Sequence, residues 1–161
     1  MTISADEFKQ ALQYWASGVT VVTTDSATHG LLGMTATSFC SVSADPAQIL
    51  VCLNDAALTA AGITESQHFA VNLLSTEQQA VSNAFAGGAS EAERFASVDW
   101  HKGINAVPVL DACIASLECK VTQQIRAGTH WVVIGEVLAA TCRSGEPLLY
   151  YRAGYKELQQ A

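Results

Sequence analysis

The residues that could do chemistry are concentrated in a hydroxyl-rich segment at positions 33–46. Within nine positions, five of its side chains carry a hydroxyl group: Thr35, Thr37, Ser38, Ser41 and Ser43. Neutral hydroxyls and backbone N–H groups can together bind phosphate oxygens, as a backbone nest does. The segment therefore predicts a site for a phosphorylated ligand that needs little positive charge. The same composition is also compatible with turns and strand ends that bind nothing.

A second candidate is His130, which follows Gly128 and Thr129 at the predicted start of a strand. A histidine in this position could contact a ligand, or it could be an ordinary residue at a strand end. The other three histidines show no metal-ligand spacing with one another. We therefore predict no metal site.

The sequence lacks the motifs of several common kinds of catalysis. It contains no Gly-x-Ser-x-Gly nucleophile elbow, no Walker-type phosphate loop and no Gly-x-Gly-x-x-Gly fingerprint. Its five cysteines are odd in number and never form Cys-x-x-Cys, so neither a zinc site nor a disulfide framework is predicted. Any redox chemistry should be supplied by a bound organic cofactor.

Composition narrows the classes of protein to which the chain can belong. With 161 residues, half of them hydrophobic, we expect a single domain over 1–161. The net charge of −7 argues against a nucleic-acid partner, which needs a basic surface. No apolar run reaches the roughly 20 residues that cross a bilayer, and the N-terminal residues lack a signal-peptide pattern. We expect a cytoplasmic protein with no membrane partner. Because only 14% of residues are charged, a homodimer is favoured as a way to cover apolar surface.

Apolar periodicity and turn residues predict short antiparallel strands with a few helices. The capping boxes Ser4-x-x-Glu7 and Ser75-x-x-Gln78 should each begin a helix. The predicted elements are helices over 5–16, 56–65 and 75–87, strands over 19–24, 31–41, 48–54, 68–73, 113–122, 131–140 and 148–151, and an irregular segment over 88–108. The strand at 131–140 is apolar on both faces apart from Glu136, which predicts burial by the core on one side and by a second subunit on the other. This order favours a mainly β fold, a small β-barrel with added helices.

Several segments occur in an order that carries a family resemblance. They are the hydroxyl-rich stretch 33–43 with Asp45-Pro46, 69–74, 85–87, 93–95 with Trp100, 108–110, 115–119 and 128–130. Together they resemble the flavin reductase-like family, and they cover nearly the whole chain. The likeness is strongest to the reductase components of two-component flavin-dependent monooxygenases. It implies the FMN-binding split β-barrel, a Greek-key antiparallel fold.

The resemblance also implies an activity and partners. The protein would be an NAD(P)H-dependent flavin reductase, which transfers a hydride from NADH or NADPH to FMN or FAD. It would form a homodimer and supply reduced flavin to a separate monooxygenase. Two other interpretations stay open: a non-catalytic flavin-binding or flavin-storage protein on the same barrel, and an oxidase of the related pyridoxamine-phosphate type.

By the same resemblance, the flavin would be bound by Thr35, Ala36, Thr37, Ser38, Ser41, Val42, Ser43, Asn54, Thr59, Phe85, Ala86 and Gly87. His130 matches the histidine of the family's Gly-Asp-His motif and would be the catalytic residue beside the nicotinamide. Here Thr129 replaces the aspartate of that motif. Residues 55–59 read Asp-Ala-Ala-Leu-Thr, where family members often carry additional serine, lysine or arginine residues.

Overall fold

The computed structural model describes residues 2–159, which form four short α-helices and twelve strands. The helices are α1 Ala5–Leu12, α2 Leu58–Ser66, α3 Gln79–Phe85 and α4 Glu91–Ala96. The strands are β1 Ser17–Gly18, β2 Thr20–Ser26, β3 Gly30–Ala36, β4 Phe39–Ala44, β5 Ala47–Asn54, β6 His68–Leu73, β7 Trp100–Lys102, β8 Pro108–Leu110, β9 Ala115–Ala127, β10 His130–Cys142, β11 Leu149–Tyr151 and β12 Gly154–Lys156. Short 3-10 helices span Thr76–Gln78 and Ile104–Ala106.

Seven strands form one sheet in the order β3-β2-β6-β9-β10-β5-β4, and every neighbouring pair is antiparallel. The two edge strands, β3 and β4, follow each other in the chain and are separated only by Thr37 and Ser38. These two strands do not pair with each other, so the sheet is open between them. The predicted mainly β, antiparallel fold is confirmed.

The core lies on both faces of β2, because successive side chains of a strand point to opposite sides. Val22 belongs to a cluster that packs beneath α2, whereas Val21 belongs to a second cluster that includes Phe85 and Phe95. Helix α2 approaches closely at Gly62, where an added Cβ would lie 2.5 Å from Leu32 Cδ1. These two packing layers fix β2 and the edge strand β3 that pairs with it.

A buried amide joins four strands at the centre of the sheet. The side chain of Asn72 on β6 is fully buried and donates to Val21 O and to Thr23 Oγ1, each at 3.1 Å. Its carbonyl oxygen accepts from Leu110 N and from Ser116 Oγ, each at 3.0 Å. The amide thus satisfies its neighbours on β2, β8 and β9 inside a region without competing solvent.

Several predicted elements match the structure. Strand 68–73 has the bounds of β6, and both predicted capping boxes are formed. The predicted helix 5–16 is shorter, because the chain leaves α1 through i→i−3 turns at Tyr14 and Trp15. No residue of α1 is buried, and Trp15, just beyond it, is 74% exposed.

Two other sequence-based assignments need correction. The predicted strand 31–41 is broken after Ala36, because β3 pairs with β2 whereas β4 pairs with β5. Segment 88–108, predicted to be irregular, contains α4 and β7. On β10, the core buries Val133 and Gly135, and burial of the other face by a second subunit stays a prediction. No helix within residues 2–159 is both long and apolar enough to span a membrane.

The Asn72 amide gives the first testable prediction. Replacing Asn72 by Ala leaves the Leu110 N–H and the Ser116 hydroxyl without their acceptor in a buried region. We expect the free energy of unfolding to fall by about 2–4 kcal/mol in denaturant titrations. Ser116→Ala removes only one of these bonds and should cost about 1 kcal/mol. An Asn72→Ala protein within about 0.5 kcal/mol of wild type would contradict this account.

Candidate functional site

A groove follows the outer edge of β3 and the two residues after it. Cavities of about 360 and 280 Å³ both have Thr35 and Ala86 in their walls. A third cavity of about 480 Å³ shares Thr37, Tyr150 and Ala153 with the first. Because these cavities share wall residues, they lie next to one another along the hydroxyl-rich segment, and we refer to the three together as the groove.

The middle cavity of the groove is neutral and aromatic. It lies between β3, α3 and the β11–β12 hairpin, where Tyr150 and Tyr155 pack edge to face with ring centroids 5.5 Å apart. The Tyr155 hydroxyl donates to Asn83 Oδ1 at 2.7 Å and lies 2.8 Å from Ser82 Oγ. Thr35 Oγ1 donates to Ser82 O at 2.7 Å, which ties β3 to α3. This cavity suits a planar ring with polar edges, and Lys9 and Arg152 line the cavity at one end of the groove.

The other end of the groove is rich in hydrogen-bond donors. It lies between β3, α4 and the first turn of α2, and its walls include Thr59, Phe85 and Arg94. Ala57, the N-cap of α2, makes no side-chain cap, so the first N–H groups of that helix lack such an acceptor. Within the described residues, Arg94 Nε is buried without a hydrogen-bond partner. The uncapped start of α2 and the Arg94 guanidinium, which is paired with Glu91, line the same cavity, and free helix N–H groups suit an anionic group.

The middle cavity and the donor-rich end together fit a ligand that carries a planar ring and a phosphate, such as a flavin nucleotide. The uncapped start of α2 and Arg94, which line one cavity, speak for the phosphate. In that cavity a single arginine, the helix N–H groups and the Thr35 and Thr59 hydroxyls supply the donors.

The structure brings seven of the predicted flavin-binding residues to this groove. They are Thr35, Ala36, Thr37, Ser38, Thr59, Phe85 and Ala86. Gly87 follows directly, with a φ of 141° that favours glycine. Gly87 itself does not line the three cavities.

Two predicted residues lie beside each other at the end of the β5–β10 ladder. His130 pairs with Asn54, and its Nδ1 is 3.0 Å from Thr129 Oγ1. His130 is exposed and does not line the three cavities. Ser38 donates to Cys52 O, and strand spacings place His130 roughly 12 Å from Ser38. His130 thus stands near the groove and outside its walls.

The three remaining predicted residues lie elsewhere on the sheet. Ser41, Val42 and Ser43 belong to β4, the edge opposite β3, where the register of the β4–β5 pair shifts between Ser41 and Ser43. They do not line the three cavities. Their role in flavin binding stays a prediction.

Sequence reasoning did not assign three other residues of the groove to the site. Arg94 and Glu91 come from a segment predicted to be irregular, and Tyr155 comes from the C-terminal hairpin. One local signal was available, because Ser90 and Glu93 form a capping box that marks the start of α4. No comparable signal marks Tyr155.

Comparison with known proteins agrees with this fold. The family model of the flavin reductase like domain matches residues 12–159. The chain belongs to the flavin reductase-like family. The chain is 38% identical over 157 residues to an FMN reductase (NADH), RutF, of Pseudomonas syringae. The match covers 97% of this chain and 88% of the RutF chain.

The chain is also similar to two solved structures of reductases. One is the NADH:FAD oxidoreductase SgcE6 of Streptomyces globisporus in complex with NAD and FAD fragments, with a TM-score of 0.89, 28% identity and coverage of 99% and 97%. The other is BorF, the flavin reductase component of a bacterial two-component tryptophan halogenase, with a TM-score of 0.89, 28% identity and coverage of 98% and 100%. Both likenesses extend over nearly the full length, which agrees with the split-barrel fold.

The buried cysteines are poor nucleophiles. Burial raises the pKa of the Cys113 thiol to about 11 and that of Cys119 to about 12. Burial also raises the pKa of Cys52. Cys40 and Cys142 are exposed. Because the thiolate is the reactive form, the buried thiols stay protonated and inert near neutral pH.

These differences predict the order of thiol modification. With iodoacetamide near pH 8, we expect Cys40 and Cys142 to be alkylated first, and Cys113 and Cys119 only after denaturation. Raising the pH toward the pKa values of the buried thiols should increase their labelling. Peptide mapping by mass spectrometry would measure each site, with the denatured chain as the control. Equal labelling of all five cysteines in the native protein would contradict the assigned burial.

Proposed function

We propose that this protein is an NADH-dependent flavin reductase that binds FMN or FAD in the groove along β3. The observation that carries the proposal is the pairing of a neutral, aromatic cavity with a donor-rich cavity that is lined by Arg94 and the uncapped start of α2. The names of the relatives support it, since one is an FMN reductase (NADH) and another an NADH:FAD oxidoreductase.

In this proposal, the backbone of β3 provides the contacts to the ring. The N–H and C=O groups of Gly33 are bonded by side chains of α4, on the edge away from β2. Outward-facing residues alternate along an antiparallel edge strand, so the N–H and C=O of Thr35 face the same edge. They can bond the polar edge of a flavin ring, while Thr37, Ser38 and Tyr150 enclose it.

The phosphate would lie at the other end of the groove. Arg94 and the first N–H groups of α2 would hold it, with Thr59 beside them. A single guanidinium and an uncapped helix start form a moderate anion site. Residues 55–59 add no further positive charge. Such a site suits a flavin that binds and leaves as a substrate.

The chain's part in the reaction is to position two rings and exclude water. A bound flavin supplies the hydride acceptor, and the reduced nicotinamide supplies the hydride with its electron pair. Proximity and orientation can supply most of the rate enhancement of such a transfer. This explains why the groove needs neither a nucleophile nor a buried acid. We infer that His130, beside Asn54 near the groove, contacts the nicotinamide nucleotide.

We also infer that the protein acts as a homodimer that passes reduced flavin to a separate flavin-dependent oxygenase. Exposed apolar side chains on and after α1, at Phe8, Leu12 and Trp15, support a partner subunit, because burial of such surface is favourable. BorF supports the second inference, since it is the reductase component of a two-component system.

The central prediction is flavin-dependent oxidation of NADH. Absorbance at 340 nm should fall when NADH and either FMN or FAD are added, and should stay constant when flavin is omitted. NADPH in place of NADH measures the preference between donors. If neither NADH nor NADPH is oxidised in a flavin-dependent reaction, the proposed activity is wrong. Flavin binding without oxidation would instead favour a storage protein.

The proposed role of His130 makes a separate prediction. His130→Ala should raise the KM for NADH roughly five- to tenfold and leave the flavin Kd within about twofold, because only the nicotinamide contact is lost. His101→Ala is the matched control, since His101 is also exposed but bonds Asp111 instead. Equal kinetics for His130→Ala and wild type would exclude this role.

A further inference from the structure

The edge strand β3 is held from outside by two side chains of α4. Glu91 Oε2 accepts a hydrogen bond from Gly33 N at 3.0 Å, and Arg94 Nη1 donates to Gly33 O at 2.9 Å. Arg94 Nη1 also donates to Glu91 Oε1 at 2.7 Å, so the two side chains form an ion pair. One acceptor and one donor thus meet the two outward-facing backbone groups of a single residue, as a neighbouring strand would do.

The spacing of the two residues and their burial make this arrangement rigid. Glu91 and Arg94 are three positions apart, and residues with this spacing lie on the same face of a helix. Their side chains are only 23% and 14% exposed. At this burial a charge-assisted contact is screened less by solvent than a surface pair is.

Aromatic packing fixes where α4 sits. Phe95, next to Arg94, packs edge to face on Phe85 at 5.3 Å and on Trp100 at 5.8 Å between ring centroids. Phe85 also lies against Gly33, where an added Cβ would be 2.6 Å from Phe85 Cε1. Because Gly33 has no side chain, the Phe85 ring on α3 can approach its backbone. The side chains of Glu91 and Arg94 on α4 can approach the same backbone.

The consequence for the groove concerns Thr35, two residues further along β3. The outward backbone groups of Gly33 are already bonded to α4, and those of Thr35 face the same edge beside the groove. We propose that Glu91 and Arg94 are positioning residues. They hold β3 in the position in which the segment from Thr35 to Ser38 can contact the flavin ring. This inference rests on the proposed function.

An electrostatic alternative makes the opposite prediction. Removing a negative charge near a phosphate site should strengthen the binding of an anionic flavin nucleotide. Removing a contact that positions β3 should instead weaken flavin binding, because β3 would be held less precisely in place. Substitution at Glu91 separates the two, since Glu91 cannot donate to a phosphate.

The test compares Glu91→Gln with Glu93→Gln. Both substitutions remove one negative charge from the first turn of α4, but Glu93 bonds only Ser90 and does not contact β3. We expect Glu91→Gln to raise the FMN Kd at least about fivefold by fluorescence titration, and Glu93→Gln to change it less than about twofold. Unchanged binding by Glu91→Gln would overturn the proposal, and tighter binding would overturn it in favour of the electrostatic alternative.

A second measurement does not depend on flavin. Hydrogen exchange of the Gly33 amide, followed by NMR in the protein alone, should be at least about tenfold faster in Glu91→Gln than in Glu93→Gln. Equal exchange rates would overturn the positioning contact. If the wild type binds neither FMN nor FAD, the proposed function fails, and the exchange rates still decide whether α4 holds β3.

A conservative variant covers the case in which Glu91→Gln does not fold. Glu91→Asp keeps the charge and withdraws the carboxylate by one methylene. The positioning role predicts weaker flavin binding, again at least about fivefold, whereas a purely electrostatic role predicts no change. An Asp variant with the wild-type FMN Kd would therefore contradict the proposal.

Discussion

The structure depends on the buried amide of Asn72. A single side chain with two donors and one carbonyl oxygen bonds groups of β2, β8 and β9 around its own strand, β6. Buried polar groups require partners, so the positions of these strands are set together. The short strand β8 is held over the sheet by the same amide, through Leu110 N. The central sheet therefore has one arrangement that satisfies all of its buried polar groups.

The groove is a consequence of that arrangement at the edge of the sheet. Strand β3 is the outermost strand, next to β2, and exposes a row of backbone groups. Part of this edge is covered. The ion pair of α4 bonds the backbone of Gly33, the carbonyl of Ser82 accepts from the Thr35 hydroxyl, and the side chains that make these contacts also line the groove. A ligand with hydrogen bonds along one ring edge could continue the row that α4 begins.

Much of the fold could be predicted from local patterns. The mostly apolar segment 68–73 marked β6 within its observed bounds, and capping boxes marked the starts of α1 and the helical turn at Thr76–Gln78. The break between β3 and β4 could not be predicted in this way. Residues 31–41 are strand-like throughout, and the chain breaks only because its two halves pair with different strands.

The sequence by itself determined the chemistry available to this protein: a cluster of hydroxyls, few charges and no nucleophile with a base. It also carried the resemblance to a family of flavin reductases. Only the tertiary structure decided which residues meet. Glu91 and Arg94 lie 58 and 61 positions from Gly33 in the chain, and Tyr155 lies 73 positions from Ser82. Periodicity and motifs report neighbours in sequence, whereas these contacts arise from the packing of α3, α4 and the C-terminal hairpin around the edge of β3.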